Sequence, residues 1–292
     1  MSRFLDLTLN GVSTGMIYAS VALALVLIWR ATRIVNFAQG GMLMVTTFVA
    51  LAVINKTGSY WLGFFVALAS GLIFGALVER VLIRRVEGGP PLNAVIATLA
   101  LLILLQGAAG AIWSATPRSF PPPFSIRGYV INGHRVLFSP NDLFTVIAVL
   151  GVALGLFGLF KRTDVGLRMR ASAFAPGIAR LEGVRVGRML TFGWALAAMA
   201  GSLAGVLVAP AVFVGPNNFD PLLVFGFTAA VIGGLDSPLG AIVGGLILGL
   251  CLSYVSGYLG SALVTLGALV ILIAVLMARP SGLFTSTRTR SV

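Results

Sequence analysis

Apolar runs close to twenty residues long, separated by short polar turns, leave a chain few ways to fold, and this chain is built of them from about Asn10 to Ala278. A helix needs about 20 apolar residues to cross the hydrocarbon core of a bilayer. In that core the backbone must satisfy its own hydrogen bonds, which favours helices. Composition points the same way. Of 292 residues, 58% are hydrophobic and only 10% charged, against about 25% charged in a soluble domain. A soluble core cannot absorb that excess, because a domain of this size must still clothe its surface in polar groups. The 36 glycines suit close helix packing. The expected fold is an all-α polytopic membrane protein forming a single domain over residues 1–292.

The runs divide into about nine segments, with eight to ten compatible with the pattern: Asn10–Trp29, Asn36–Ile54, Trp61–Ile83, Asn93–Trp113, Leu143–Phe160, Met189–Val208, Leu222–Leu235, Leu239–Tyr254 and Ala262–Ala278. The seventh is short or broken, since about 14 residues at 1.5 Å rise cover only about 21 Å. Residues 114–141 form a proline-rich connection, and residues 161–188 form the most basic one, with seven cations against Asp164 and Glu182. Alternating the connections puts fifteen Lys and Arg on one side and five on the other. The richer side is expected to be cytoplasmic. The N-terminus is then outside, the C-terminus inside, 114–141 extracytoplasmic and 161–188 cytoplasmic. A net charge of +12 does not indicate nucleic acid here, because the cations lie between spans and not on one soluble face.

The inventory of reactive groups excludes much. There is no phosphate-binding GxxxxGK[ST] loop, no Ser/His/Asp set and no cluster of metal ligands. His134 is the only histidine and Cys251 the only cysteine. No cofactor and no catalytic residue is expected. Glu79 and Arg80 are expected to reach the interface at the end of the third segment. The acids that ion-coupled transporters place within the membrane are not evident. Neutral polar groups remain in the spans. Two glycine-rich turns, VNFAQGG (Val35–Gly41) and GGLDSPLG (Gly233–Gly240), interrupt paired segments in the two halves, a pattern that points to a transport path. The expected path residues are Tyr18, Asn36, Gln39, Gly40, Thr228, Gly233 and Gly234. Asn36 is a candidate cap for the second helix, and Ser237–Pro238 a helix start.

In the basic connection, Pro176 is a helix start and Gly183 a stop. Leu167, Ala171 and Phe174 share a face by spacing, as do Ile178, Leu181 and Glu182. Such an amphipathic piece suits either an anionic lipid surface or the groove of a partner.

Four stretches resemble the permease subunits of branched-chain amino acid ABC importers, in particular the shorter of the two permeases. They are GVSTGMIYASVALALVLIWR (Gly11–Arg30), RIVNFAQGGMLM (Arg33–Met44), GLRMRASAFAPGIARLEGVRVGR (Gly166–Arg188) and AAVIGGLDSPLGAIVGGLILGL (Ala229–Leu250). The resemblance implies a non-catalytic subunit in a bacterial cytoplasmic membrane, carrying branched-chain amino acids or related small solutes such as urea and amides. Its implied partners are a second permease, two ATP-binding subunits on the cytoplasmic side and an extracytoplasmic solute-binding protein. It also implies that a helix within Arg168–Gly183 meets the ATPase, through Gly166, Arg168, Arg170, Ala171, Pro176, Ala179, Leu181 and Gly183. The sequence departs from the family pattern at Gln39, Gly41, Ala175, Gly177 and Glu182. A stand-alone secondary transporter or channel is the alternative reading.

Overall fold

The computed structural model describes residues 2–86, 89–131, 134–136, 138–279 and 281–284. It is helical throughout its spans. In chain order the helices are α1 (Ser2–Thr32), α2 (Gln39–Thr57), α3 (Tyr60–Val86), α4 (Pro91–Trp113), α5 (Pro140–Arg162), α6 (Asp164–Phe174), α7 (Pro176–Leu181), α8 (Val186–Val212), α9 (Asp220–Gly233), α10 (Pro238–Leu259) and α11 (Ser261–Ala278). Eight of these are long and apolar enough to cross a bilayer among the described residues, and α9 is a shorter ninth. The connection after α4 is not wholly irregular: Val130–Ile131 pairs antiparallel with His134–Arg135.

Packing sorts the helices into a centre and a periphery. The spans α1 and α8 are the most enclosed, whereas α4, α5 and α11 present most of their surface outward. Small residues let the central backbones touch. Gly11, Gly15 and Ala19 of α1 lie against Gly245, Gly249 and Ser253 of α10, and Gly71 and Gly75 of α3 lie against Ala198 and Trp194 of α8. A stripe spaced by four residues keeps one helix face flat, so dispersion contacts between main chains replace side-chain interdigitation.

Polar contacts gather the helix ends into two sets. At one end Ser13 Oγ donates to Asp142 Oδ1 at 2.7 Å, Thr8 Oγ1 meets Tyr254 Oη at 2.9 Å, and Arg118 pairs with Val214. At the other, basic end Arg33 pairs with Asp236 at 2.5 Å and Arg84 Nη2 donates to Gly187 O at 3.0 Å. Helix α9 joins the two sets. Its first residue, Asp220, accepts from Gln106 Nε2 at 2.8 Å, and its last, Gly233, leads into the turn that holds Asp236. Gln106 lies two turns before the end of α4, about 10 Å down the helix at 1.5 Å per residue. The chain between α8 and α9 dips into the bundle to reach it, burying Val214 and Phe219. That dip supplies the length that 14 residues lack.

The starts of α1 and α5 lie earlier than the apolar pattern sets them, and that of α2 lies later. Helix α5 begins at Pro140, where Ser139 and Asp142 form a reciprocal capping box. Helix α1 starts at Ser2, where Phe4 stacks on Tyr254 at 5.5 Å. Asn36 does not cap α2, whose N-cap position is Ala38. It sits two residues upstream and accepts from Ala38 N at 3.0 Å.

Candidate functional site

The basic connection folds as two helices in place of one. Thr163 caps α6, its Oγ1 accepting from Gly166 N at 3.2 Å. Ala175 interrupts the run, at φ −142 and ψ 75, because the ring of Pro176 crowds a helical residue before it. Pro176 opens α7. Gly183, at φ +77, closes it, with Gly183 N bonded to Arg180 O at 3.1 Å and Val184 N to Ala179 O at 2.9 Å. Those two bonds, with glycine in the left-handed position, are a Schellman stop.

The expected contact residues divide between two faces. Gly166 and Ala179 turn inward, Gly166 against Leu159 and Phe160 of α5 and Ala179 into a small cluster with Val186 and Leu190 of α8. Met169 and Ser172 are buried beside them. Arg168, Arg170, Ala171, Pro176, Leu181 and Gly183 turn outward. Around them lies an apolar face: Phe174 is 83% exposed, Ile178 64% and Leu181 88%. The surrounding cations are Arg168, Arg180, Arg185 and Arg188. Ala179, one of the expected contact residues, is buried against α8 and braces α7.

The expected path residues come together only in part. Asn36 and Gln39 are fully buried. Asn36 Nδ2 donates to Gln39 Oε1 at 3.2 Å, and Gln39 Nε2 donates to Ala197 O of α8 at 3.4 Å. The Gln39 amide fills the notch at Gly201, where any side chain would collide with it. Gly40 faces Leu223 of α9, and Tyr18 meets the Phe225 ring at 5.1 Å. Thr228 is buried and donates back to Val224 O at 2.9 Å. Gly233 touches Gly240 across the α9–α10 turn, and Gly234 holds φ +96. In this conformation the polar groups of Asn36, Gln39 and Thr228 are bonded within the protein. An apolar crevice of about 240 Å³ borders Asn36, walled by Leu25, Leu223, Phe227 and Leu272.

Two ion pairs at the basic end escaped the sequence reading. Arg33, at φ +57, reaches Asp236 and so ties the two glycine-rich turns together. Glu79 does not reach the interface: it is 1% exposed. Arg84 grips it twice, Nε to Oε1 at 3.1 Å and Nη2 to Oε2 at 3.0 Å. Thr191 Oγ1 adds a third bond at 2.5 Å. A π-helical turn over Glu79–Ile83 creates this arrangement.

Comparison with known proteins follows the same lines. Residues 7–278 match the family described as branched-chain amino acid transport system, permease component. The high-affinity branched-chain amino acid transport system permease protein LivH of Escherichia coli is 30% identical over 301 residues, covering 96% of this chain and 95% of that protein. BraD of Pseudomonas aeruginosa, with a corresponding description, is 29% identical over 298 residues, again 96% and 95%. Among solved structures, PsaBC from Streptococcus pneumoniae in complex with Fab shares the fold, with a TM-score of 0.51 at 15% identity over 93% of this chain and 91% of that one.

Proposed function

The chain belongs to the branched-chain amino acid transport system permease family, and from that premise we propose that it is the membrane subunit of a binding-protein-dependent ABC importer. It carries branched-chain amino acids or related small polar solutes. It pairs with a second permease, takes solute from an extracytoplasmic binding protein, and leaves ATP hydrolysis to two ATPase subunits. The basic end lies in the cytoplasm of a bacterial cell and the 114–141 connection outside, a reading that the excess of cations supports.

The observation that carries this reading is the face of Phe174, Ile178 and Leu181. Three large apolar side chains stand almost free on two short helices amid arginines. Exposed apolar patches rimmed by polar groups mark interaction sites. Both helices are braced from behind, by Gly166 on α5 and Ala179 on α8, so a push on them is passed to the spans. The route for solute runs past Asn36, Gln39 and Gly40, where α2, α8 and α9 meet, and opening it requires those internal bonds to be exchanged.

Co-expression with the cognate ATPases and binding protein tests this. A stable complex whose ATP hydrolysis rises with loaded binding protein is the expected result. Uptake by the chain alone, driven by an ion gradient, would replace this reading with a secondary transporter. Two variants separate docking from folding. Phe174→Asp with Leu181→Asp should abolish the ATPase complex and leave the melting temperature of the permease alone unchanged. Ala179→Asp should instead destabilise the permease itself by about 3–5 kcal/mol, since it buries a carboxylate against Val186 and Leu190 with no partner. Thermal melting and pull-down of the two variants, side by side, check both statements.

A further inference from the structure

A crevice of about 310 Å³ opens at the basic end between α1, α5 and α10. Its rim carries Arg30, Lys161 and Arg170, together with Asp236. Asp236 is engaged by Arg33 at 2.5 Å. Among the described residues, no carboxylate lies within ion-pair distance of the three cations. Lys161 Nζ sits 5.1 Å from the centre of the Phe157 ring, so its charge is held at the mouth of the crevice. The start of α10 at Ser237–Pro238 lines the same mouth and adds the positive end of a helix dipole. Below the rim the walls are apolar: Leu27 of α1, Phe157 of α5, Leu239 and Ile242 of α10. The outward face of α5 beside it, with Leu150 and Leu154 exposed, opens the groove sideways to hydrocarbon.

We propose that this crevice is a binding site for an anionic phospholipid, its phosphate held by Arg30, Lys161 and Arg170 and an acyl chain laid along the wall of α5 and α10. The charge fits a phosphate, and basic pockets between spans at the cytoplasmic boundary are suited to anionic headgroups. The apolar walls below the charges fit a chain that a free phosphate lacks. A protein segment would need acids at its tip to meet the same rim. One rim residue, Arg170, belongs to α6, so a bound headgroup ties that helix to α1 and α5. The proposal holds whichever solute the protein carries.

The test uses the full chain, purified in an uncharged detergent and offered phosphatidylglycerol, phosphatidylcholine or inorganic phosphate, with native mass spectrometry and thermal melting as readouts. Phosphatidylglycerol should be retained and should raise the melting temperature, with neither effect from phosphatidylcholine. The triple variant Arg30→Gln, Lys161→Gln, Arg170→Gln should retain it roughly 100-fold less well, at about a factor of five per basic residue beside an anionic headgroup. Arg80→Gln, Arg85→Gln, Arg188→Gln removes equal charge from the same end and should retain it normally. Equal retention of the two lipids, or unchanged retention by the first triple variant, overturns the proposal. Inorganic phosphate that stabilises as well as the lipid overturns the lipid assignment, and so does cross-linking of Lys161 to a second protein with no lipid bound.

Discussion

Gly249→Leu is expected to remove the folded protein from the membrane fraction. Helix α1 is the most enclosed span, and α10 is the partner it lies against along its first half. A Cβ at Gly249 would stand 2.5 Å from Gly11 O, and one at Gly245 would stand 2.5 Å from Ala19 Cα. Overpacking costs about 1–3 kcal/mol where neighbouring side chains can yield. Here the atoms met are main chain on both sides, so the helices must separate along their length and the contacts of Ala19 and Ser253 go with them. Ser253 Oγ, buried and bonded to Leu7 O at 2.6 Å, would lose its acceptor. The loss should therefore exceed a single overpacked site and approach the whole stability of a domain, about 5–15 kcal/mol. Gly155→Leu is the matched control. It lies on the outward face of α5 with nothing within 4 Å of its added atom, and should express and melt as the unaltered protein does. Size-exclusion profiles and melting curves of the two variants decide the matter. A Gly249→Leu protein that elutes and melts normally would contradict the backbone contact between α1 and α10.

The spans were legible because a bilayer imposes a length and a polarity that local sequence records directly. What local sequence does not record is which distant group completes an end. Helix α1 reaches back to Ser2 because Tyr254 offers Phe4 a ring and Thr8 a hydroxyl. The short α9 begins below the end of α4 because Gln106, on another helix, bonds its first residue. The break at Ala175 was written in the residue before Pro176, where the sequence itself marks a helix start. The inward turn of Ala179 follows from its place opposite Leu181 on α7, yet the identity of its neighbour depends on α8. Asn36 and Gln39 were recognisable as polar groups near a turn. That they bond to each other, and that Gly201 makes room for the Gln39 amide, is a property of three helices meeting.

The Glu79–Arg84 pair was hidden for a different reason, and it carries the second large effect. Ion pairs on a helix are sought three or four residues apart, since at 100° per residue a separation of five points 140° away. The π turn over Glu79–Ile83 widens the helix locally and brings positions 79 and 84 to one side. Arg84→Met is expected to destabilise the protein by about 3–5 kcal/mol, because it leaves a carboxylate buried with Thr191 as its remaining partner. Glu79→Gln should cost less, since the exposed Arg84 head can return to water and an amide still bonds Thr191. Combining Glu79→Leu with Arg84→Met should restore most of the loss, as a buried pair replaced by apolar groups of like volume is often near neutral. Melting curves of Glu79→Leu, Arg84→Met and their combination give the coupling directly, and additive losses would mean that the two side chains do not act as a pair. The pair also has a place in the proposed mechanism. Arg84 holds Gly187 O and Thr191 in the first two turns of α8, directly after the helices proposed to face the ATPase. The double variant, stable but unpinned, should then hydrolyse ATP in the assembled importer while moving less solute per ATP. An unchanged ratio of transport to hydrolysis would confine the pair to holding α3 and α8 together.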